Sequence, residues 1–316
     1  MAQVFSSHRT GVPSTVVERK NMIPAISPTI FLNLLFNGFF LGSIYALVGA
    51  GLTLVFGVTR LVNFAHSILM VSAMYFTYYM WSVLGLEPFL LLPVSFTLFF
   101  IVGFAIYRFL VKFVVDKPFS SQVLTTLGLL LIIQYSIVML WTSNTYTVNS
   151  PWRDIVFRLD GVFVSLPHLA TFSATLAISV LLYYFLKNTY TGRAIRATAQ
   201  DPEAAKILGI EPDYVYSVSL GLGTGLAAVA GNMLAMSYSI DPYIADVFLV
   251  MAFVVIIMGG MGNYMGAIMA GYIIGMIEVF TAFLFMPLLK HAVPLLLLIL
   301  ILIFKPEGLL TKRLRD

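Results

Sequence analysis

IFLNLLFNGFFLGSIYALVGAGLTLVF (residues 30–56) runs without a single charged side chain. A helix needs about 20 apolar residues to cross the ~30 Å hydrocarbon core of a bilayer, so this stretch is long enough to span it. Further apolar runs follow at 62–83, 88–111, 121–142, 168–187, 213–238, 246–259, 263–286 and 290–304. Only helices and closed barrels satisfy backbone polar groups in lipid, and runs of this length are helical. The expected fold is therefore an all-α integral membrane protein, a polytopic bundle of about eight or nine transmembrane segments with broken or re-entrant helices.

Composition agrees. Of the 316 residues 60% are hydrophobic and 10% charged, against about 25% charged in a soluble domain. A mean hydropathy of +0.96 leaves too little polar sequence for a soluble domain on one anchor. Residues 1–28, with His8, Arg9, Glu18, Arg19 and Lys20, read as a polar tail. Residues 29–310 form one transmembrane domain, and 311–316 a basic tail. The chain has no cysteine, and its four histidines (His8, His66, His168, His291) are scattered, so no metal site and no thiol chemistry is expected. A net charge of +4 calls for no nucleic-acid partner.

Charge in the connections sets orientation. Arg108, Lys112 and Lys117, then Lys187, Arg193, Arg196 and Lys206, then Lys305, Lys312, Arg313 and Arg315 mark cytoplasmic segments. Glu87, the Arg153 to Asp160 region, and Asp241 with Asp246 mark external ones. Counting back places Arg60 inside and the start of the first span outside, whereas the basic residues of the tail argue the opposite.

Two connections are long enough to hold structure. Asp160-Gly161 between Val156-Phe157-Arg158-Leu159 and Val162-Phe163-Val164 predicts an external β-hairpin. The cytoplasmic stretch Thr191 to Asp213 carries the signals of a short capped helix: Asp201 as N-cap, Pro202 at the first position, Glu203 at the positive dipole end, and Gly209 to close it. So short a helix must be held against something. It reads either as a docking element for a cytoplasmic partner or as a surface linker.

Glycine is concentrated. Gly262 to Gly266 and Gly271 to Gly275 have the spacing that lets helices approach closely in lipid, and Gly221, Gly223 and Gly225 sit together in another span. Gly259-Gly260 followed by Gly262-Asn263 predicts a break. Asn63 and His66 are expected on one helical face after the Gly57 and Arg60 interruption, with both breaks meeting near the midplane. Glu278 reads as an interior hydrogen-bonding partner or a pathway residue. Gln134, Asn33, Asn37 and Asn232 are expected to bond between helices.

Broken spans with interior polar residues point to transport. No His-Glu-x-x-His motif and no paired acids in the spans support an intramembrane enzyme, and no phosphate loop supports ATP hydrolysis by this chain. A self-contained secondary carrier or channel is the alternative, but ion coupling would call for ionisable residues in several spans, and these spans hold few beyond His66 and Glu278.

Five stretches occur in order: Tyr45-Ala46-Leu47 through Gly51-Leu52-Thr53-Leu54-Val55-Phe56-Gly57 into Asn63-Phe64-Ala65-His66; Thr191-Gly192-Arg193-Ala194-Ile195-Arg196-Ala197; Asp201-Pro202-Glu203-Ala204-Ala205 with Leu208-Gly209-Ile210; Gly259-Gly260-Met261-Gly262-Asn263; and Lys305-Pro306-Glu307-Gly308-Leu309. From about residue 30 to 310 the chain thereby resembles the permease subunits of branched-chain amino-acid ABC importers. The resemblance implies a multi-pass permease of the bacterial inner (plasma) membrane. Its implied partners are a second permease (a similar chain or itself), a periplasmic substrate-binding protein, and two cytoplasmic ATPase subunits that use ATP and Mg; the chain itself carries no cofactor. It further implies ATPase coupling through Arg193, Arg196, Asp201, Pro202, Glu203, Ala204, Lys206 and Gly209. The implied path for branched-chain amino acids or a related small solute runs by Thr53, Asn63, His66, Gly259, Gly260, Gly262, Asn263 and Glu278. The external hairpin is the expected contact for the binding protein. The chain departs from the family's usual pattern at Ser67-Ile68, where Gly-Glu is usual, and at Met251, where a lysine is usual.

Overall fold

The computed structural model describes residues 27–305 and Gly308. The tail expected at 1–28 lies outside the described residues except for Ser27 and Pro28, as do Pro306, Glu307, Leu309 and the basic C-terminus. Ser27 Oγ accepts from Ile30 N at 3.2 Å and opens α1 (Pro28–Thr59), with Pro28 in the first turn where its missing N–H costs nothing. Then come α2 (His66–Leu84), α3 (Leu91–Phe109), α4 (Phe119–Trp141), the hairpin β1 (Val156–Leu159) and β2 (Val162–Ser165), and α5 (Leu166–Asn188). The short α6 (Tyr190–Gln200) and α7 (Pro202–Ile207) precede α8 (Pro212–Ala235), α9 (Ile244–Gly259), α10 (Tyr264–Leu284) and α11 (Ala292–Phe304).

Eight segments among the described residues are long and apolar enough to span a membrane, the third and last of them extended by a flanking one-turn helix. α9, with 16 residues, corresponds to the seventh expected run, 246–259. At 1.5 Å per residue it is about 24 Å long, short of the ~30 Å core. It packs against α1, α2, α10 and α11.

α8 is buried from Ser217 to Ala235 and α1 over most of Gly38–Thr59, which makes these two the centre of the bundle. The glycine spacing does what the sequence predicts. α1 and α10 run antiparallel with small residues facing: a Cβ on Gly275 would lie 2.3 Å from Gly42 N, one on Gly271 2.4 Å from Ala46 N, and one on Gly57 2.9 Å from Gly262 Cα. Backbones this close gain dispersion contacts and exclude any side chain. A second antiparallel seam joins α3 to α8, where Asn232 Nδ2 donates to Ser95 Oγ at 3.1 Å, the interhelical bond expected of Asn232.

The two ends of the bundle segregate as the charges predict. At one end lie Glu87, whose Oε2 accepts from Ser150 Oγ at 2.6 Å, the isolated antiparallel bridge between Tyr146 and Ile240, and the hairpin. Asp160 and Gly161 turn with φ of 46° and 84°, the left-handed pair that a two-residue hairpin requires. Asn33 clamps the turn, donating to Gly161 O at 3.1 Å and accepting from Phe163 N at 2.8 Å. α1 therefore starts at the end of the bundle that carries the hairpin. This corrects the expectation for two asparagines: Asn33 ties a helix to a hairpin, and Asn37 donates to Asn33 O within its own helix at 2.8 Å. Gln134 Nε2 bonds Pro242 O, a loop carbonyl, at 3.2 Å. At the other end Lys112 Nζ pairs with Asp213 Oδ2 at 2.6 Å, half exposed and worth at most about 1 kcal/mol.

Candidate functional site

The first break is the connection Arg60 to Ala65. α1 ends at Arg60, which takes a left-handed φ of 54° and donates its N–H to Phe56 O at 2.8 Å. Helix resumes only at His66. Asn63 therefore does not share a helical face with His66. It makes a turn of its own, its Oδ1 accepting from Ala65 N at 3.1 Å and its backbone oxygen from His66 N at 3.3 Å. The side chain is an alternative acceptor that lets the chain leave the helix, which is why Asn occurs there.

His66 is fully buried where α1, α2 and α8 meet. Its Nε2 lies 3.1 Å from Val48 O, and its Cε1 is 3.2 Å from where a Cβ on Gly51 would be. Bonding to a carbonyl puts the proton on Nε2 and leaves Nδ1 as an acceptor, for which no partner is present. Thr53 Oγ1 and Ser67 Oγ are likewise buried without partners. Thr53 lies one turn from Gly49 and one from Gly57, on the face of α1 that meets Val255 and Gly262.

The second break is a tight turn rather than an unwound span. Gly259 ends α9, Gly260 and Gly262 take φ of 89° and 84°, and Asn263 caps α10 by accepting from Gly266 N at 3.1 Å. An L side chain is strained at both positive-φ positions, so two glycines in three residues reverse the chain. The two breaks do meet, at Gly57 and Gly262. They meet beside the C-terminal end of α1 and not halfway along it, because Gly57 is in the last turn before Arg60 and Gly308 lies against Gly260.

Glu278 stands apart. Fifteen residues of α10 separate it from Asn263, about 22 Å along the axis. Its Oε2 accepts from Tyr45 OH at 2.6 Å, while Oε1 faces His291 Nδ1 at 3.3 Å and Lys290 Nζ at 3.9 Å. A carboxylate 3% exposed is thus held by a phenol, with an imidazole and an ammonium group facing it. Sequence reasoning missed Lys290 and His291. Their place at the start of the last apolar run, one turn past the end of α10, was the available signal. Met251 and Ile68 are buried among apolar side chains, and no buried charge is left unpaired at either position.

The cytoplasmic stretch is two helices where one was expected. α7 is capped as predicted: Asp201 Oδ1 accepts from Glu203 N at 2.9 Å and Ala204 N at 3.0 Å, Pro202 fills the first position, and Gly209 closes the helix at φ 80°. α6 was not foreseen. Thr189 caps it, Oγ1 accepting from Gly192 N at 3.0 Å. Gly192, Ala194, Ile195 and Thr198 form its buried face, with Ala194 and Ile195 packed in a cluster with Leu54 and Val58 of α1 and Val215, Val218 and Leu222 of α8. Arg193 and Arg196 are exposed and donate to Asn188 O and Lys187 O, each at 3.4 Å, where the carbonyls of α5 end. α7 exposes Glu203, Ala204 and Lys206, and with them Ile207 and Leu208, 86% and 77% accessible. The module has one face fixed to the bundle and one face of mixed charge and apolar surface turned outward.

Comparison with known proteins agrees with this architecture. Residues 34–302 match the family described as branched-chain amino acid transport system / permease component. The chain is 28% identical over 293 residues to the high-affinity branched-chain amino acid transport system permease protein BraD of Pseudomonas aeruginosa, covering 89% of this chain and 95% of that one. It is 29% identical over 299 residues to the corresponding LivH protein of Escherichia coli, with the same coverages. To a probable branched-chain amino acid transport permease protein LivH of Methanocaldococcus jannaschii it is 30% identical over 243 residues, 75% of this chain and 76% of that one. No solved structure matches. A multi-pass helical bundle whose central helices, breaks and cytoplasmic module fall inside the matched region is a transport subunit and not an enzyme: the chain belongs to the family of branched-chain amino acid transport system permease components.

Proposed function

We propose that this chain is the membrane-spanning permease subunit of an ATP-driven importer for branched-chain amino acids or a related small solute, in the bacterial inner (plasma) membrane. The observation that carries the reading is the α6–α7 module. It is anchored through α6 to α1 and α8, the two central helices, and presents Arg193, Arg196, Glu203, Lys206, Ile207 and Leu208 to the cytoplasm. A short helix defined at both ends and bearing exposed apolar side chains suits a protein partner better than solvent. The partners of this reading are two cytoplasmic ATPase subunits, which bind the ATP and Mg, a second permease and a periplasmic substrate-binding protein.

Uptake by vesicles carrying the complete system should depend on internal ATP and persist when ion gradients are collapsed. The purified chain, shown by mass spectrometry to be free of partners, should not hydrolyse ATP. Gradient-driven uptake by the chain alone would establish a secondary carrier instead.

The proposed path passes Thr53, Asn63, His66, Gly259, Gly260, Gly262, Asn263 and Glu278. The unpartnered Thr53 Oγ1 and His66 Nδ1 support it, since a buried polar atom without a partner is costly unless a solute or water meets it. His66→Leu is expected to lower the maximal uptake rate and leave the apparent affinity nearly unchanged, because capture belongs to the binding protein and passage to the permease. A normal rate per folded molecule with a lower melting temperature would assign His66 to packing alone, through its bond to Val48 O.

A further inference from the structure

Five separate parts of the chain close around a cavity of about 330 Å³ at the cytoplasmic junction. The end of α1 contributes Arg60, the connection from α3 to α4 contributes Asp116 and Lys117, α4 contributes Gln122, α6 contributes Thr198, and α8 contributes Tyr216. Seven of the cavity's eleven lining residues carry a polar or charged group, whereas the grooves along the spans are lined almost entirely by apolar side chains. Its volume lies in the range of small-molecule pockets.

The chemistry of the lining is specific. Arg60, Asp116 and Lys117 take no part in the ion pairs formed among the described residues. Gln122 uses its amide nitrogen on Val115 O at 2.8 Å and Lys117 O at 3.1 Å, which fixes its orientation and leaves Oε1 a buried acceptor without a donor. Thr198, 1% exposed, has an unpartnered hydroxyl. The cavity therefore offers two cations that match a carboxylate, and a carboxylate with an amide oxygen that match an ammonium group. Arg60 holds a left-handed backbone conformation that non-glycine residues rarely adopt.

We propose that this cavity binds a small zwitterion, an α-amino acid or a close analogue, with its carboxylate held by Arg60 and Lys117 and its ammonium group by Asp116 and Gln122. Thr198 on α6 and Pro202 at the start of α7 form one wall. A bound zwitterion therefore bridges the coupling module to α1 and α4, and solute accumulated in the cytoplasm acts on the element that meets the ATPase. That consequence rests on the importer reading. The binding does not, and is measured without ATPase or binding protein, so the two can fail separately.

The test uses the full chain in lipid nanodiscs and equilibrium binding of L-alanine, L-leucine and L-phenylalanine. At least one should bind saturably. For that ligand, the analogue without the ammonium group and the amide without the carboxylate should each bind about tenfold or more weakly, the loss expected for one charge-assisted contact. Arg60→Gln and Asp116→Asn should do the same, with Arg60→Lys in between. If a variant elutes as aggregate, the analogues on the parent protein decide. No saturable binding by any of the three overturns the proposal. So does binding indifferent to both substitutions, and so does an analogue lacking the ammonium group that binds as tightly as its parent, which would make this a simple anion site.

Discussion

Gly275→Leu should leave little folded permease in the membrane, with a loss exceeding about 3 kcal/mol, while Gly128→Ala should leave stability unchanged or slightly raised. The two glycines both lie in transmembrane helices, and neither reads as special by residue type. They differ in what a Cβ would meet. At Gly275 it would stand 2.3 Å from Gly42 N and 2.4 Å from Gly42 Cα, both backbone atoms of α1 that no rotamer change can move. Relief requires the helices to part. Parting them opens the contacts at Gly271 with Ala46 and at Gly38 with Met276 along the same seam, so one side chain costs much of an interface. At Gly128 nothing lies within 4 Å, and alanine gains up to about 1 kcal/mol of helix propensity. Gly38→Ala should fall between them, because its nearest neighbour is Met276 Sδ, the far end of a flexible side chain. Thermal unfolding in nanodiscs ranks the three. Equal melting temperatures for Gly275→Leu and the parent would mean that the α1–α10 seam does not hold the bundle together.

That seam was legible because lipid offers no hydrophobic drive between helices, so close approach must be written as small residues at a fixed spacing. The spans were legible from length, and the hairpin from Asp160-Gly161, since each rests on local chemistry. Depth was not. Whether the Gly259 to Asn263 turn falls at mid-membrane or at the end of α1 depends on its pairing with Gly57, about 200 residues away in sequence. Asn33 was read as helix glue because its partner, Gly161, is equally remote. α6 was missed although its signal was present. Gly192, Ala194, Ile195 and Thr198 recur at three- and four-residue spacing opposite Arg193, Arg196 and Gln200, but the stripe holds only small side chains beside one isoleucine and is faint in hydropathy. The junction cavity had no sequence signal at all, since Arg60, Asp116, Lys117, Gln122, Thr198 and Tyr216 become neighbours only when five segments converge.

Arg193→Glu with Arg196→Glu should abolish uptake without preventing insertion or folding. Both guanidinium groups are exposed, and their bonds to Asn188 O and Lys187 O are long, 3.4 Å each. Losing them removes positive charge from the end of α5, an effect of about 0.3–1 kcal/mol that the bundle absorbs. The buried face of α6, which carries the attachment to α1 and α8, is untouched. The outward face is inverted, however, and if the proposed ATPase presents an acidic cleft to it, two like charges brought against that cleft cost several kcal/mol. Replacing Pro202 and Glu203 by glycine attacks the same element through the backbone. It costs α7 about 1 kcal/mol per glycine and its fixed first turn, in a helix of six residues with little to spare. Ile207→Ser with Leu208→Ser removes the apolar surface without changing any charge, and should match the charge reversal if α7 seats in a pocket of the ATPase. Co-purification with the ATPase subunits and uptake from ATP-loaded vesicles give the readout, with melting temperature as the control for folding. Three variants that retain the ATPase and transport at the parental rate would show that α6 and α7 are not the coupling element; loss of transport with retained ATPase binding would place their role in transmitting the motion between the ATPase and α1.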